Sequence, residues 1–489
     1  MEKFDLAVIG TGPAGHFGAI QAAKAGRSVV AIEATGSVGG AAVFGTIPAK
    51  ALREATLHLM GLRQRTHYGA HYRVKRDLSI RDLTRSTEQI ICMERDVLEE
   101  QLRRNGVKIV HGFASFVSPH QVVTEGPDGV RVFEVDRVLV AVGTVPARPP
   151  GIDFDGTRII DSNQILQLER IPQRLTVIGA GVIGIEYACM FAALGTQVTL
   201  VNQSDRFLDF VDRQVLEVLC YHMQANNVRF RLGETISDME KCDSGVLLRT
   251  ASGKTIAGDC VLYAVGRQGN TEFLNLEAAG LEADKRGRIA VNDDYQCAVP
   301  HIYAAGDVIG FPALAATSRE QGRRAICHAF GLECVGGSED LPYGIYSIPE
   351  ISMIGPTEQE LTAKGTPYEV GLAWYREIAR GHLLGDVSGL LKLLFDPDTK
   401  KLHAVHAVGD GATELVHLGQ AVRALGGTLE YFIDTVFNFP TLAECYKVAA
   451  LDGLNRVNYA RRVGCRSRST SGTAAACSLE ESRNVESAV

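Results

Sequence analysis

Two sets of three glycines are spaced to hold phosphate. The first is Gly10, Gly12 and Gly15, within DLAVIGTGPAGHFGAIQAAKAGRSVVAIE, from Asp5 to Glu33. The second is Gly179, Gly181 and Gly184, within LTVIGAGVIGIEYACMFAALGTQVTLVN, from Leu175 to Asn202. Each set follows an apolar, β-branched run and opens a helix-like stretch. The first glycine of such a set makes a tight turn, the second lets backbone approach a pyrophosphate, and the third lets helix pack on strand. The free N–H groups and positive dipole end of the helix then face the phosphates. The match continues downstream. Ala19 and Ala188 occupy equivalent places, as do Gly26 and Gly195, and Glu33 and Asn202. One such glycine set is weak as a signal; two in strand–turn–helix context, with matching spacing, predict a duplicated dinucleotide-binding unit.

Three further positions bear on chemistry. Lys50 falls in the first turn of a helix expected after Pro48, where a cation opposes the helix dipole by about 0.3–1 kcal/mol. Glu186 stands where the first repeat has Phe17, so a charge replaces an aromatic side chain. The two are either solvated surface charges or partners in an ion pair. Asn202 ends the second strand of the second repeat, with Arg206 four residues on. An acidic residue there favours the 2′-OH of NAD, and a nearby Arg accepts the 2′-phosphate of NADP. Asn repels neither; it is also a common turn former after a strand.

The elements that must position these residues are legible in outline. Residues 50–65 and 82–104 read as helices, and 107–142 as strands ending in Gly143 and Thr144. Strands return between Lys254 and Val265, ahead of Gly266, and again from His301 to Ala305, ahead of Gly306 and Asp307; a helix is expected over 313–330. Residues 341–456 mix strands and helices and carry no nucleotide fingerprint. Beyond 456 the chain turns rich in Ser, Arg, Ala and Gly, and 457–489 reads as a disordered tail.

Composition narrows the function classes. The 489 residues suffice for about three domains, and the net charge of −7 is spread along the chain. No basic surface for nucleic acid and no apolar run of membrane-spanning length is evident. The eleven cysteines are scattered from Cys92 onward, with no CxxC and no zinc spacing. They read as reduced thiols of a cytoplasmic protein, used as small core hydrophobes, and no metal site is expected.

Taken together, these motifs resemble the pyridine nucleotide–disulfide oxidoreductase superfamily over about residues 4–456. Within it they are most similar to the soluble pyridine nucleotide transhydrogenases. GTIPAKALREA (45–55), GAGVIGIEYA (179–188), YAVGRQGNT (263–271), YAAGDVIGFPALA (303–315) and FNFPTLAECYKVAALDGLNR (437–456) carry the likeness. The resemblance implies an α/β protein with two Rossmann-like dinucleotide-binding domains and an α+β dimerisation domain. The FAD domain (1–150 and 270–340) is interrupted by the NAD(P) domain (151–269), and 341–456 form a homodimer or higher homo-oligomer. It assigns FAD to Gly10, Gly12, Pro13, Ala14, Gly15, Glu33, Ala34, Gly39, Gly40, Ala114, Gly143, Gly306, Asp307 and Ala315. It assigns the NAD and NADP substrates to Gly179, Gly181, Val182, Ile183, Gly184, Asn202, Arg206 and Gly266. Lys50 and Glu186 are implied as an ion pair beside the flavin.

The chain departs from the disulfide reductases of this superfamily at two places. Ala41, Ala42 and Thr46 stand in the loop where their two cysteines are found, and Phe439-Pro440-Thr441 replaces their His-Pro-Thr, with Glu444 kept. A thiolate nucleophile and a titratable ring are both missing, so dithiol exchange is not expected. The expected activity is ping-pong hydride transfer between NADPH and NAD+ by way of FAD. The alternatives are an FAD-dependent NAD(P)H oxidase or diaphorase, and a catalytically silent flavin-binding scaffold.

Overall fold

The computed structural model describes residues 1–469, apart from 35, 41, 64, 70, 76, 86, 244 and 335–340. Both glycine repeats form the expected strand–turn–helix. In the first, strand Glu2–Ile9 leads through Gly10 into helix Pro13–Lys24 and on to strand Val29–Glu33. These strands pair in parallel, and Glu2–Ile9 also pairs with Gly129–Val140. Lys108–His111 extends the sheet on one side, and Ile302–Ala304 pairs with Gly129–Val140 on the other. Every residue of Val29–Glu33 is buried, as a parallel strand covered on both faces requires.

The second repeat builds a separate parallel sheet, in the order Arg229–Leu232, Gln197–Asn202, Arg174–Ile178, Cys260–Tyr263, Ile159–Ile160. Its helix, Val182–Ala193, is buried from Gly184 to Ala193. That helix lies between its own sheet and helix Ile47–Leu59: Ala49 and Leu52 share one core with Ile185, Tyr187 and Phe191. The chain leaves the first domain through Thr144–Pro146 and returns through Arg267–Gly269, and these two short strands pair antiparallel. Arg267 fastens the crossing by donating to Thr144 Oγ1 at 2.7 Å and to Thr144 O at 2.6 Å.

The last domain is a five-stranded antiparallel sheet, running Tyr343–Ile345, Ile351–Ile354, Leu402–Val408, Leu390–Phe395, Glu369–Trp374. Helices Ala412–Ala424 and Glu444–Ser469 pack on it. The final helix runs on to Ser469, past the expected start of a disordered tail at 457, and Val457 itself still reaches the apolar core of this domain. Residues 470–489 lie outside the described residues. No helix among the described residues is long and apolar enough to cross a membrane.

Buried ion pairs join the domains. Lys392, fully buried in strand Leu390–Phe395, donates to Asp212 Oδ1 at 2.9 Å and Oδ2 at 3.1 Å, and also to Glu358. Asp212 belongs to the second domain, where it caps helix Arg213–Ala225 by accepting from Gln214 N. Burial pushes the Asp212 carboxyl up, but His406 and Lys392 outweigh it, so it lies below the usual carboxylate range. Neutralising one partner of such a pair is costly, because the other charge stays buried. Asp212→Asn is therefore expected to lower stability by about 3 kcal/mol near neutral pH, measured by urea unfolding. A depressed folded-state pKa gives stability that is present above the unfolded value and lost as pH falls. The gap between wild type and variant should accordingly narrow below about pH 4.

Candidate active site

The first and third glycines of both repeats pack as their spacing predicts. A Cβ on Gly10 would lie 2.5 Å from Ala141 O, and one on Gly179 would lie 2.6 Å from Ala264 O. A Cβ on Gly15 would lie 1.9 Å from Gly10 O, and one on Gly184 would lie 2.0 Å from Gly179 O. These four are closed to any side chain. Gly12 and Gly181 are different. Nothing lies within 4 Å of a Cβ on either, and both have ordinary extended dihedrals as helix N-caps. Neither cap is made by a side chain, so the space beside Gly12 and Gly181 lies open at the N-termini of helices Pro13–Lys24 and Val182–Ala193. Such an opening at a helix N-terminus fits a pyrophosphate.

The strand ends hold these loops alike. Glu33 Oε2 accepts from Thr11 N at 3.0 Å and Thr11 Oγ1 at 2.6 Å. Asn202 Oδ1 accepts from Ala180 N at 3.1 Å, at the matching position. The Asn202 amide also donates to Ser204 O at 3.1 Å and Arg206 O at 3.0 Å. The turn-forming role weighed for Asn202 is therefore real, and it coexists with the bond to the loop after Gly179. Arg206 projects from this turn, largely exposed, with Asp209 3.9 Å away.

Other predicted residues assemble around the first glycine loop. Gly39 and Gly40 have φ of +109° and +52°, and a Cβ on Gly40 would lie 3.0 Å from Gly12 Cα. Gly306, at φ +83°, packs on Ala14 and donates its N–H to Gln321 Oε1 at 2.8 Å. Asp307 Oδ2 accepts from Thr144 Oγ1 at 3.4 Å. Ala315 is the first residue of helix Ala315–Ala329, which packs along helix Pro13–Lys24. Ala114 is buried on strand Phe113–Ser118, next to strand Val29–Glu33, and Ala34 is exposed just past that strand. Gly143 and Gly266 have positive φ and open space at Cβ, on the two sides of the domain crossing. Pro13, Val182 and Ile183 lie in the first turns of their helices.

Lys50 and Glu186 are an ion pair. Lys50 Nζ lies 2.7 Å from Glu186 Oε2 and 3.0 Å from Oε1, with the lysine side chain 27% exposed and the glutamate 5%. Glu186 Oε1 also accepts from Tyr346 N at 2.9 Å, and Lys50 Nζ stands 4.9 Å from the Tyr346 ring centre. The reading as two solvated surface charges is overturned, because the helices carrying them pack on each other. Tyr343 lies close by; burial, then Glu186 and Asp307, push its hydroxyl up to about 12.

Sequence reasoning missed the supports of this pair. One turn after Lys50, Arg53 is buried and donates to Ser347 O at 2.9 Å, with Glu350 Oε2 3.1 Å away. Burial raises the Glu350 carboxyl against the pull of Arg53. A lysine inside the run LLKLLF was a visible signal for the Lys392 network; nothing marked Tyr346 N. Ala42 lies in the turn Ala42–Thr46 and Thr46 is exposed, while Ala41 lies outside the described residues. Cys189 is on the Glu186 helix, but burial pushes its thiol up to about 12, which makes it a poor nucleophile.

Because Gly12 and Gly181 have dihedrals open to any residue, valine at either should fold and only fill the phosphate space. Gly12→Val should lose bound FAD, read from flavin absorbance after gel filtration. Gly181→Val should keep FAD and lose nicotinamide-nucleotide binding, read by titration calorimetry. FAD retained by Gly12→Val would contradict the assignment.

A family model described as pyridine nucleotide-disulphide oxidoreductase matches residues 4–322, and its dimerisation domain matches 341–450. A soluble pyridine nucleotide transhydrogenase of Mycobacterium bovis is 50% identical over 94% of this chain and 98% of its own. One from Shigella boydii is 42% identical over 93% and 98%. The crystal structure of LpdA from Mycobacterium tuberculosis superposes with a TM-score of 0.84 at 26% identity, covering 92% of this chain and 99% of that one. With two matched strand–turn–helix repeats, a matched dimerisation domain and this similarity along nearly its whole length, the chain belongs to the pyridine nucleotide-disulphide oxidoreductase family, whose members use FAD with NAD(P) as substrates.

Proposed function

We propose that this protein exchanges hydride between NADPH and NAD+ with FAD as carrier, as a cytoplasmic homodimer. The two nicotinamide nucleotides use the second cleft in turn, and no redox disulfide takes part. The observation that carries this reading is the Lys50–Glu186 pair, set where the two nucleotide domains meet; the Cys189 thiol on the Glu186 helix is pushed up by burial. The names of the relatives, soluble pyridine nucleotide transhydrogenase, support the same activity.

FAD, when bound, supplies a group that takes up a hydride and gives it back. The rest is done by the chain. The helix N-terminus after Gly12 would hold the FAD pyrophosphate, and Glu33, buried at the end of its strand, would face the ribose. Glu186 holds the Lys50 ammonium in one place, and a fixed cation favours negative charge developing nearby. Gly181 and its helix would hold either nicotinamide nucleotide by the pyrophosphate. Asn202 carries no charge, so the mouth of this cleft need not reject a 2′-phosphate, and Arg206 stands four residues on to meet one.

The test is NADPH-driven reduction of an NAD analogue by wild type and Asn202→Glu. A glutamate can keep the bond to Ala180 N, as Glu33 keeps that to Thr11 N. It also sets a negative charge near the 2′-phosphate. Two unit charges about 4 Å apart cost about 4 kcal/mol at an effective dielectric near 20. Half of that is about a 30-fold loss of NADPH affinity. The variant should keep NADH-driven dye reduction and lose NADPH-to-NAD+ transfer. Alkylating accessible cysteines should leave wild-type transfer intact, and lipoamide and glutathione disulfide should not be reduced. Oxygen consumption without nucleotide exchange, or turnover of either disulfide, would overturn the proposal.

A further inference from the structure

Arg206, the residue placed to meet a 2′-phosphate, already has an anionic neighbour. Its Nε lies 3.9 Å from Asp209 Oδ1, and both side chains are largely exposed. The backbone on either side of this pair is held. Asn202 Nδ2 donates to Arg206 O at 3.0 Å, and Arg206 N donates to Ser204 Oγ at 3.1 Å. Asp209 stands on a turn closed by Val211 N, which donates to Leu208 O at 2.8 Å. Leu208, at φ +50°, and Val211 are both buried. Phe210 packs on Tyr343 of the last domain with ring centres 4.7 Å apart, and Asp212 accepts from Lys392 at 2.9 Å. An exposed carboxylate is thus presented to Arg206 from a turn anchored on both sides. Among the described residues Asp205, exposed in the same segment, forms no ion pair with Arg206.

We propose that Asp209 is a specificity-determining residue, which competes with the 2′-phosphate of NADP(H) for Arg206 and so keeps the affinity for NADP(H) near that for NAD(H). The inference rests on the reading of the second cleft as one site that both nucleotides use in turn. That reading makes a demand of the cleft. A nucleotide that leaves slowly blocks the other, so neither can be held much more tightly. An unopposed Arg206 would offer a charge-assisted contact that only the phosphate-bearing nucleotide can use. Asp209 lessens this advantage, because the phosphate must displace the carboxylate from Arg206 and then stand beside it.

The strength of the contact suits this task. Exposed ion pairs are weak, so Asp209 tempers phosphate binding without abolishing it. NAD(H) carries a hydroxyl where NADP(H) carries the phosphate. It gains little from the Arg206 charge and is insensitive to Asp209.

The experiment measures binding of NADP+ and NAD+ to the full-length, FAD-loaded protein by titration calorimetry, at low and at high salt. Asp209→Asn should bind NADP+ about 5-fold more tightly than wild type at low salt, and NAD+ equally well. The gain should shrink at high salt, which screens exposed charges; a merely structural change would not follow salt in this way. Asp209→Glu keeps the charge and should stay near wild type. Asp205→Asn removes the same charge from the same segment and should give little of the gain. Arg206→Gln should weaken NADP+ binding, and adding Asp209→Asn to it should recover nothing. A wild type that binds only one of the two nucleotides would overturn the shared-cleft reading and this inference with it. So would NADP+ binding unchanged by Arg206→Gln overturn the role of Arg206 and the inference together. If Arg206→Gln weakens NADP+ binding as expected, three results sink the inference alone: no gain from Asp209→Asn, an equal gain for NAD+, or an equal gain from Asp205→Asn.

Discussion

Much of this molecule is arranged around one buried carboxylate. Glu186 is the single charge on a helix whose other buried residues are uncharged, and such a group is stable inside a protein only when it is paired and hydrogen-bonded. Its two oxygens are met from two directions: by the Lys50 ammonium of the first domain, and by the Tyr346 N–H of the last. Three domains are therefore tied at one point. Arg53 with Glu350, and Asp212 with Lys392, repeat the same device further out. Each needs the domains to be docked before its charges are satisfied, which makes relative placement of the two clefts a condition of stability as well as of function.

The two glycine repeats on either side of this point are built to one plan. In both repeats the first and third glycines are closed by backbone carbonyls, the second is open, and a polar side chain at the strand end takes the N–H following the first glycine. The repeats differ where their tasks differ. Glu33 takes both the N–H and the hydroxyl of Thr11, whereas Asn202 takes only the N–H of Ala180 and ties down its own turn as well. Phe17 is exposed on its helix, whereas Glu186, at the equivalent place, is drawn into the junction between domains.

The sequence made the local features legible and left the long-range ones hidden. The glycine sets, both strands of each repeat and the helix after Gly306 could be read because each is specified by neighbours close in the chain. The Lys50–Glu186 pair could not be separated from two surface charges by spacing, since they stand 136 positions apart and only the packing of two helices brings them together. That the last helix continues past 457 was hidden for a related reason. Leu454 and Val457 look sparse in sequence, but they lie on a face already covered by the sheet.

The central claim is that the Lys50 cation and the Glu186 carboxylate work as one unit at the site of hydride transfer. A double-mutant cycle tests it most directly. The rate of anaerobic flavin reduction by NADPH would be measured by stopped flow for wild type, Lys50→Met, Glu186→Gln and the double variant. Residues acting as a unit give strongly non-additive effects, with coupling on the order of 1–3 kcal/mol. The account predicts that each single change slows reduction, and that the double variant is little slower than the worse single one. If the two effects simply multiply, or if neither change alters the rate, the pair is not the element on which hydride transfer depends.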